Sequence, residues 1–205
     1  MDYYLDFDYT LFNTYSFRED LYKILENNGF DKTHLALTPE TKNNNQQLLN
    51  IKEKFKELAI SHNISMEKFL NPLEELYKKG STYLYEDAID FLKYLKSKNN
   101  RIHILTWGDK NYQQEKIEIT NISDYVDDII YAESLKYGLD INYENAIFID
   151  DSIRDIEGLN KKKANQIFRI KRPNGKNSDK ELNINEVIEF ASLKELQEYL
   201  ENMKS

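Results

Sequence analysis

Reactive side chains collect at the ends of three apolar runs in this chain. Tyr3-Tyr4-Leu5 breaks into Asp6-Phe7-Asp8, and the run from Arg101 to Leu105 ends in Thr106 and Trp107. A third run, Asn145 to Ile149, leads into Asp150 and Asp151, with Asp155 one helical turn later. Alternate residues of a strand share a side, so Asp6 and Asp8 are expected to face the same way. Pooled carboxylates repel one another unless a cation neutralises them. Oxygen ligands without thiol or imidazole suit a hard cation, and Mg²⁺ is the natural choice because it binds carboxylates while keeping waters and phosphate oxygens. Such an ion can clamp a phosphate and lower its charge, so that an anionic carboxylate can attack it.

For these residues to meet, the runs must be strands of one sheet. Strands are expected at 101–106, 128–131, 145–150, 167–170 and 187–190, with Pro173-Asn174-Gly175 stopping the fourth of these. Helices are expected at 85–95, 111–119, 153–162 and 193–203. Alternating strands and helices predict a three-layer α/β, Rossmann-like fold with a parallel sheet. Ligands of such sheets bind outside the carboxyl ends of the strands, where the acids and Thr106 lie.

The segment between the first strand and the rest reads differently. Leu21, Ile24 and Leu25 fit a helical face, as do Leu48, Leu49, Ile51, Phe55 and Leu58, and then Met66, Phe69, Leu70, Leu73 and Leu76. Thr38 can cap a helix opening at Pro39, Asn43-Asn44-Asn45 reads as a polar loop, and Lys79-Gly80-Ser81 closes the block. The expected division is a core of residues 1–13 and 84–205 with an all-helical insert at 14–83. Gly80 is its expected hinge, since a residue without Cβ absorbs backbone rotation cheaply.

Composition excludes several classes. The chain has 205 residues, which at about 150 per domain predicts one large domain or one carrying an insert. With 28 Lys and Arg against 36 Asp and Glu, the net charge of −8 opposes the basic field of a nucleic-acid binder. The absence of cysteine removes disulfides, thiolate zinc sites and thiol nucleophiles. His34, His62 and His103 are too scattered for a multi-histidine metal site, and the first two are expected at the surface, the third packed or exposed on its strand. The six glycines are too dispersed for a GxGxxG or Walker loop, and no GxSxG elbow occurs. No apolar run approaches the ~20 residues of a membrane helix. With no basic, apolar and small-residue leader pattern either, the expected location is the cytoplasm, with no membrane and no obligate protein partner.

Asp6-Phe7-Asp8-Tyr9-Thr10-Leu11 resembles motif I, DxDxT, of the haloacid dehalogenase-like superfamily. Thr106 after its apolar strand resembles motif II, and Asp150-Asp151 with Asp155 resembles motif IV. The order and strand context match along the whole chain, and the helical insert resembles a C1-type cap that closes over substrate. The resemblance implies an Mg²⁺-dependent phosphatase acting on a small phosphorylated metabolite. Asp6 would be the nucleophile and Asp8 the general acid and base. Asp6, the backbone carbonyl of Asp8, and Asp151 would hold the metal, with Asp150 and Asp155 holding its waters or orienting a lysine. Thr106 would bind the phosphoryl oxygens. Motif III requires a lysine: Lys136 follows the third strand and is the choice, with Lys110 and Lys116 as competitors. Asp8 favours phosphoryl chemistry, because dehalogenase-type members lack an acid there. Trp107 is expected either to line the substrate pocket or to serve as a packing residue; at its position and at Tyr9, small or polar residues are commoner in the family. Two rivals remain: a phosphomutase or phosphotransferase on the same fold, and a non-catalytic phospho-acceptor or binding module. Receiver domains of the latter kind place an acidic pair on the first strand and a lone aspartate before the threonine, whereas here the acidic pair follows Thr106.

Overall fold

The computed structural model describes residues 1–35, 51–132, 135–173 and 175–203. The expected cap at Thr38-Pro39, the loop at Asn43-Asn44-Asn45, the apolar positions Leu48 and Leu49, and Asn174 lie outside them. Six strands are present among the described residues: β1 (Asp2–Leu5), β2 (Arg101–Trp107), β3 (Asp128–Ala132), β4 (Ala146–Asp150), β5 (Gln166–Ile170) and β6 (Ile188–Phe190). The helices are α1 (Thr14–Glu26), α2 (Ile51–Ser61), α3 (Glu67–Lys78), α4 (Ala88–Ser97), α5 (Lys110–Thr120), α6 (Ile153–Lys161) and α7 (Leu193–Asn202). The chain divides into two compact units, one of residues 1–13, 84–107 and 122–205, the other of residues 14–83 and 108–121.

The first unit is a parallel sheet in the order β3-β2-β1-β4-β5-β6, flanked by helices, as expected of a Rossmann-like core. The strand order reverses at β1, so the ends of β1 and β4 stand side by side, the place where open α/β sheets build ligand sites. Period-two alternation fixes what each face buries. Tyr4, Leu105, Phe148 and Ile167 share one apolar cluster with Ile156 and Leu159 of α6. Phe168, the next residue along β5, turns the other way to Tyr199 of α7, with ring centroids 6.0 Å apart. In the register Tyr4 lies between His103 and Phe148, and its ring stacks on both, at 4.6 and 5.2 Å. His103 is therefore a packed residue, buried in this stack.

The connection from β3 to β4 has to pass β2 and β1. It does so without a long helix: a short 3₁₀ turn at Lys136–Gly138 is followed by a second at Tyr143–Asn145. Tyr137, Leu139, Ile141 and Tyr143 of this crossover pack on the cluster beneath α6. Gly158 of α6 is what lets the crossover come so close, since a Cβ there would lie 1.8 Å from Tyr137 Cδ1. Gly158→Ala is expected to lower stability by about 1–3 kcal/mol, the usual cost of overpacking a filled site, despite alanine's better helix propensity. Equilibrium denaturation checks this; an unchanged midpoint would show that Tyr137 moves aside freely.

Helix α4 starts at Ala88, three residues after the expected Tyr85. The missing turn is committed elsewhere: Tyr85 N–H donates to the Leu11 carbonyl at 2.9 Å, and Asp87 pairs with Arg172.

The second unit is helical. α1, α2 and α3 bury Phe17, Leu21, Leu25, Phe55, Phe69 and Leu73. Met66, expected on that packed face, is 44% exposed at the N-terminal boundary of α3. His62 is exposed and His34 half-buried, their rings meeting Phe30 edge-on at 4.8 and 5.1 Å. α5 belongs to this unit, where Glu115 accepts a hydrogen bond from the Tyr77 hydroxyl of α3. Gly80 answers a steric demand here: a Cβ would sit 2.1 Å from the Ile119 carbonyl oxygen. Among the described residues no helix is long and apolar enough to cross a membrane.

Candidate active site

β1 ends at Leu5, one residue before the first carboxylate. Asp6 N–H still donates to the Ile149 carbonyl of β4, at 2.8 Å, and the chain then folds into a tight loop. Leu11 and Phe12 N–H groups both donate to the Phe7 carbonyl, and Tyr9 N–H donates to the Phe12 carbonyl. Tyr9 turns the loop in the left-handed region, φ 64°, which is costly for a residue with a large side chain. β1 stops before Asp6 and Asp8, so the loop carries both: Asp6 is buried and Asp8 partly exposed, and the Asp8 charge still bears on Asp6 and Asp151.

Lys136 is buried between the two strand ends. Its Nζ donates to Asp6 Oδ1 at 2.5 Å and to Asp150 Oδ2 at 2.7 Å. The competing lysines lie in the helical unit: Lys110 is exposed at the start of α5, and Lys116 is buried with its ammonium 4.5 Å from the Tyr112 ring centroid. Asp150 is fully committed, because its Oδ1 accepts from Ser152 N–H at 2.8 Å. Asp151 Oδ2 accepts from Asn177 Nδ2 at 2.9 Å. Ser152 caps α6 through Asp155 N–H.

Asp6, Asp150 and Asp151 bring carboxylate oxygens within 4.8 Å of one another. Asp8 and Asp155 stand outside that group. Asp155 is buried beside it, with Oδ2 3.4 Å from the Arg154 guanidinium and Oδ1 accepting no hydrogen bond among the described residues. Three buried acids thus face one ammonium. Asp6 Oδ2 and Asp151 Oδ1 accept no hydrogen bond among the described residues, so each retains a free lone pair for a ligand. The donors are all hard oxygens, which fit Mg²⁺ better than a softer metal.

Electrostatics express the same deficit. Burial pushes the Asp6 carboxyl well above the usual range; Lys136 opposes this, and Asp150, Asp151 and Asp8 add to it. Burial raises Asp150 too, again against Lys136. Burial and then Asp150 push Asp151 up to about 7, with the Asn177 amide opposing. Burial alone would lower the Lys136 ammonium, but Asp150 and Asp6 outweigh it and hold it above its ordinary value.

A pH dependence follows from Asp151. Between its ordinary 3.8 and about 7, the folded state holds a proton that the unfolded chain has released. The native state then binds more protons than the unfolded one, so stability falls as pH rises through that window. Melting curves in chelator, recorded below and above the window, should show the fall. Mg²⁺ should raise the melting temperature most at the upper end, and Asp151→Asn should flatten the slope. A melting temperature that rises with pH across the window in chelator would contradict this charge balance.

Thr106 is buried at the end of β2, and its hydroxyl has no hydrogen-bond partner among the described residues. A buried polar atom left this way at a strand end is suited to an incoming acceptor or donor. Trp107, partly buried, carries the Arg154 guanidinium over its ring at 4.6 Å.

Sequence reasoning missed a second layer. Arg172, buried just beyond β5, donates to both oxygens of Asp87 at 2.7 Å and to the Thr10 carbonyl at 2.9 Å, and its guanidinium lies 4.0 Å from the Tyr85 ring centroid. Asp87 also accepts from the Leu193 N–H at 2.8 Å, at the start of α7. Reading strand ends would have reached Arg172, since β5 stops at Ile170. Asn177 carries no such signal; it lies in an irregular loop 26 residues after Asp151.

Among solved structures, the fold resembles a protein of Burkholderia xenovorans LB400 described as a haloacid dehalogenase-like hydrolase, at TM-score 0.72 and 14% identity, covering 99% of this chain and 97% of that one. It also resembles a HAD-hydrolase described from Bacillus subtilis, YfnB, bound to magnesium, at TM-score 0.56 and 19% identity over 97% of both chains. The L-2-haloacid dehalogenase of Xanthobacter autotrophicus, with chloropropionic acid covalently bound, aligns at TM-score 0.56 and 13% identity over 98% of both. No curated protein matches this chain. The sequence pattern of the haloacid dehalogenase-like hydrolases matches residues 3–168, a span holding every carboxylate of the cluster and Lys136, and the chain belongs to that family.

Proposed function

We propose that this chain is an Mg²⁺-dependent phosphatase that hydrolyses a small phosphate monoester through an aspartyl-phosphate on Asp6. The observation that carries the reading is the seating of Lys136 between Asp6 and Asp150, with Asp6 Oδ2 and Asp151 Oδ1 left without hydrogen bonds among the described residues. A carboxylate held by a buried ammonium on one oxygen keeps the other for attack. Asp6, Asp151 and the backbone carbonyl of Asp8 would hold the cation, with Asp150 and Asp155 orienting Lys136 and the metal's waters. When bound, Mg²⁺ supplies the positive charge that lets a phosphate dianion approach these carboxylates.

Asp6 attacks phosphorus, and the bond from phosphorus to the ester oxygen breaks. Asp8 gives its proton to the departing alkoxide, which leaves as an alcohol. A water then attacks the phosphorus of the aspartyl-phosphate; Asp8 takes its proton, inorganic phosphate leaves, and the Asp6 carboxylate is restored. Thr106 and Lys136 bind phosphoryl oxygens as negative charge spreads over them.

Displacement of halide is the competing chemistry of this family. A halide ion is a weak base and leaves without a proton, whereas an alkoxide needs one, and Asp8 is the acid available to give it. The test is a panel of phosphorylated metabolites and 2-haloacids, with Mg²⁺ and with chelator. Phosphate release that requires the cation is expected. Halide release with no phosphate release from any ester would overturn the reading, and transfer to a second alcohol in place of water would make the enzyme a phosphotransferase. In the same reading the helical unit is a cap that selects the organic half of the ester. Substitutions of its large side chains should shift kcat/KM between esters and leave metal affinity unchanged.

A further inference from the structure

We propose that Asn177 is a positioning residue that aims Asp151 at the cation, held in place by a loop that two buried arginines brace. The inference rests on the metal reading above. Its basis is a continuous chain of contacts in the first unit. Asn177 Nδ2 donates to Asp151 Oδ2 at 2.9 Å, fixing a carboxylate that shares the cluster with Asp6 and Asp150 and leaving Oδ1 without a hydrogen bond among the described residues. The backbone carbonyl of the same asparagine accepts from Arg169 NH2 at 2.8 Å. Arg169 is completely buried; it also binds the Lys180 carbonyl through both terminal nitrogens at 3.1 Å and pairs with Glu189 of β6. At the other end of the loop, Arg172 is fixed by Asp87 and the Thr10 carbonyl. The Lys180 end of the segment is therefore tied to β5 through Arg169 and the Arg172 end to Asp87 and Thr10, and Asn177 sits between the ties.

Asparagine suits this task chemically. A ligating carboxylate needs a donor on its second oxygen to fix its rotation, yet a cationic donor would neutralise the charge that attracts the metal. An amide N–H fixes the carboxylate and leaves it anionic. Partners of this kind, acting on a metal ligand and not on the metal, are worth about 10–100-fold in metal affinity. Because Arg169 holds the Asn177 backbone in place beforehand, little loop ordering remains to be lost when the cation binds.

Mn²⁺ titration followed by electron paramagnetic resonance, on the full chain, measures this without substrate. Asn177→Ala is expected to weaken Mn²⁺ binding by about 10–100-fold while the melting temperature in chelator stays near wild type. Turnover should return towards the wild-type value at saturating cation, and Asn177→Gln, which keeps the amide, should recover part of the affinity. Ser178→Ala, on the same loop, should bind Mn²⁺ as wild type does. If Asn177→Ala does not fold, Asn177→Leu, of similar size and without a donor, is titrated in its place. Unchanged affinity in the donor-less variant overturns the inference, and so does equal weakening in Ser178→Ala, which would assign the effect to the loop as a whole. A wild-type chain that binds no Mn²⁺ overturns the metal reading and this inference with it. Wild-type binding with an unaffected variant overturns this inference alone.

Discussion

Asp6→Asn is expected to abolish phosphate release and leave the fold standing. An amide cannot attack phosphorus, so turnover should fall by a factor on the order of 10⁴ to 10⁶, as it does when a nucleophile is removed from a preorganised site. The stability side of the expectation comes from the charge balance. Asp6 is buried among Asp150 and Asp151, with Lys136 as the ammonium they share. Burial and the neighbouring acids already disfavour its charged form, so a neutral side chain of the same shape relieves repulsion. The melting temperature in chelator should not drop. Mg²⁺ should also protect the variant less than the wild type, since ligand binding stabilises the native state by RT ln(1+[L]/Kd), and Kd rises when a ligand is lost. Near-wild-type phosphate release from folded Asp6→Asn would remove the proposed mechanism altogether.

Lys136→Met is expected to damage stability and activity together, which separates it from Asp6→Asn. Methionine fills similar volume and carries no charge, so Asp6 and Asp150 would be left buried with no ammonium between them. Breaking a buried pair from one side costs about 3–5 kcal/mol, because the partner charge remains uncompensated. Loss of a preorganised donor to developing charge costs about 10²–10³ in kcat. Lys136→Arg should not restore either property: one nitrogen now reaches both carboxylates at 2.5 and 2.7 Å, and a planar guanidinium fork cannot replace that point charge in a filled site. Denaturation in chelator and initial rates in Mg²⁺ measure the two effects. A double variant, Lys136→Met with Asp150→Asn, should recover part of the stability and none of the activity. If Lys136→Met keeps both wild-type stability and wild-type kcat, the lysine is not the cation on which the cluster depends.

The sheet and most element positions were legible in the sequence, because they follow from local rules. Short apolar runs at 101–106 and 145–150 and helical periodicity after Asp150 need only neighbouring residues to be read, and the structure has β2, β4 and α6 there. The family motifs were legible for the same reason: Asp6, Thr106 and Asp150-Asp151 each lie at the last residue of a strand or one residue from it. Where a local signal competed with a distant partner, the partner won. Tyr85 to Asp87 continue a helical pattern, yet Tyr85 joins Leu11 and Asp87 joins Arg172, 85 residues away.

Sequence order favoured Lys136 over Lys110 and Lys116, but its contacts with the acids are visible only in the folded chain. Lys136 reaches Asp6, 130 residues distant, because the β3–β4 crossover must pass β2 and β1. That a loop carries Asp6 and Asp8 was likewise not legible: closed on the Phe7 carbonyl, with Tyr9 left-handed, it begins where β1 stops. Gly80 reads in the sequence only as a hinge without a Cβ; that Ile119 packs where a Cβ would stand there, as Tyr137 does at Gly158, is visible only in the folded chain. Asn177 had no sequence signal at all: a single amide in an irregular loop gains meaning only when Arg169 and Asp151 meet it from either side. Sequence by itself therefore determined which elements form and which acids end the strands, since hydrophobic periodicity and strand-end chemistry are short-range. Tertiary structure decided which cation balances those acids and which neutral donor orients them, since both depend on where a parallel sheet returns distant segments of the chain.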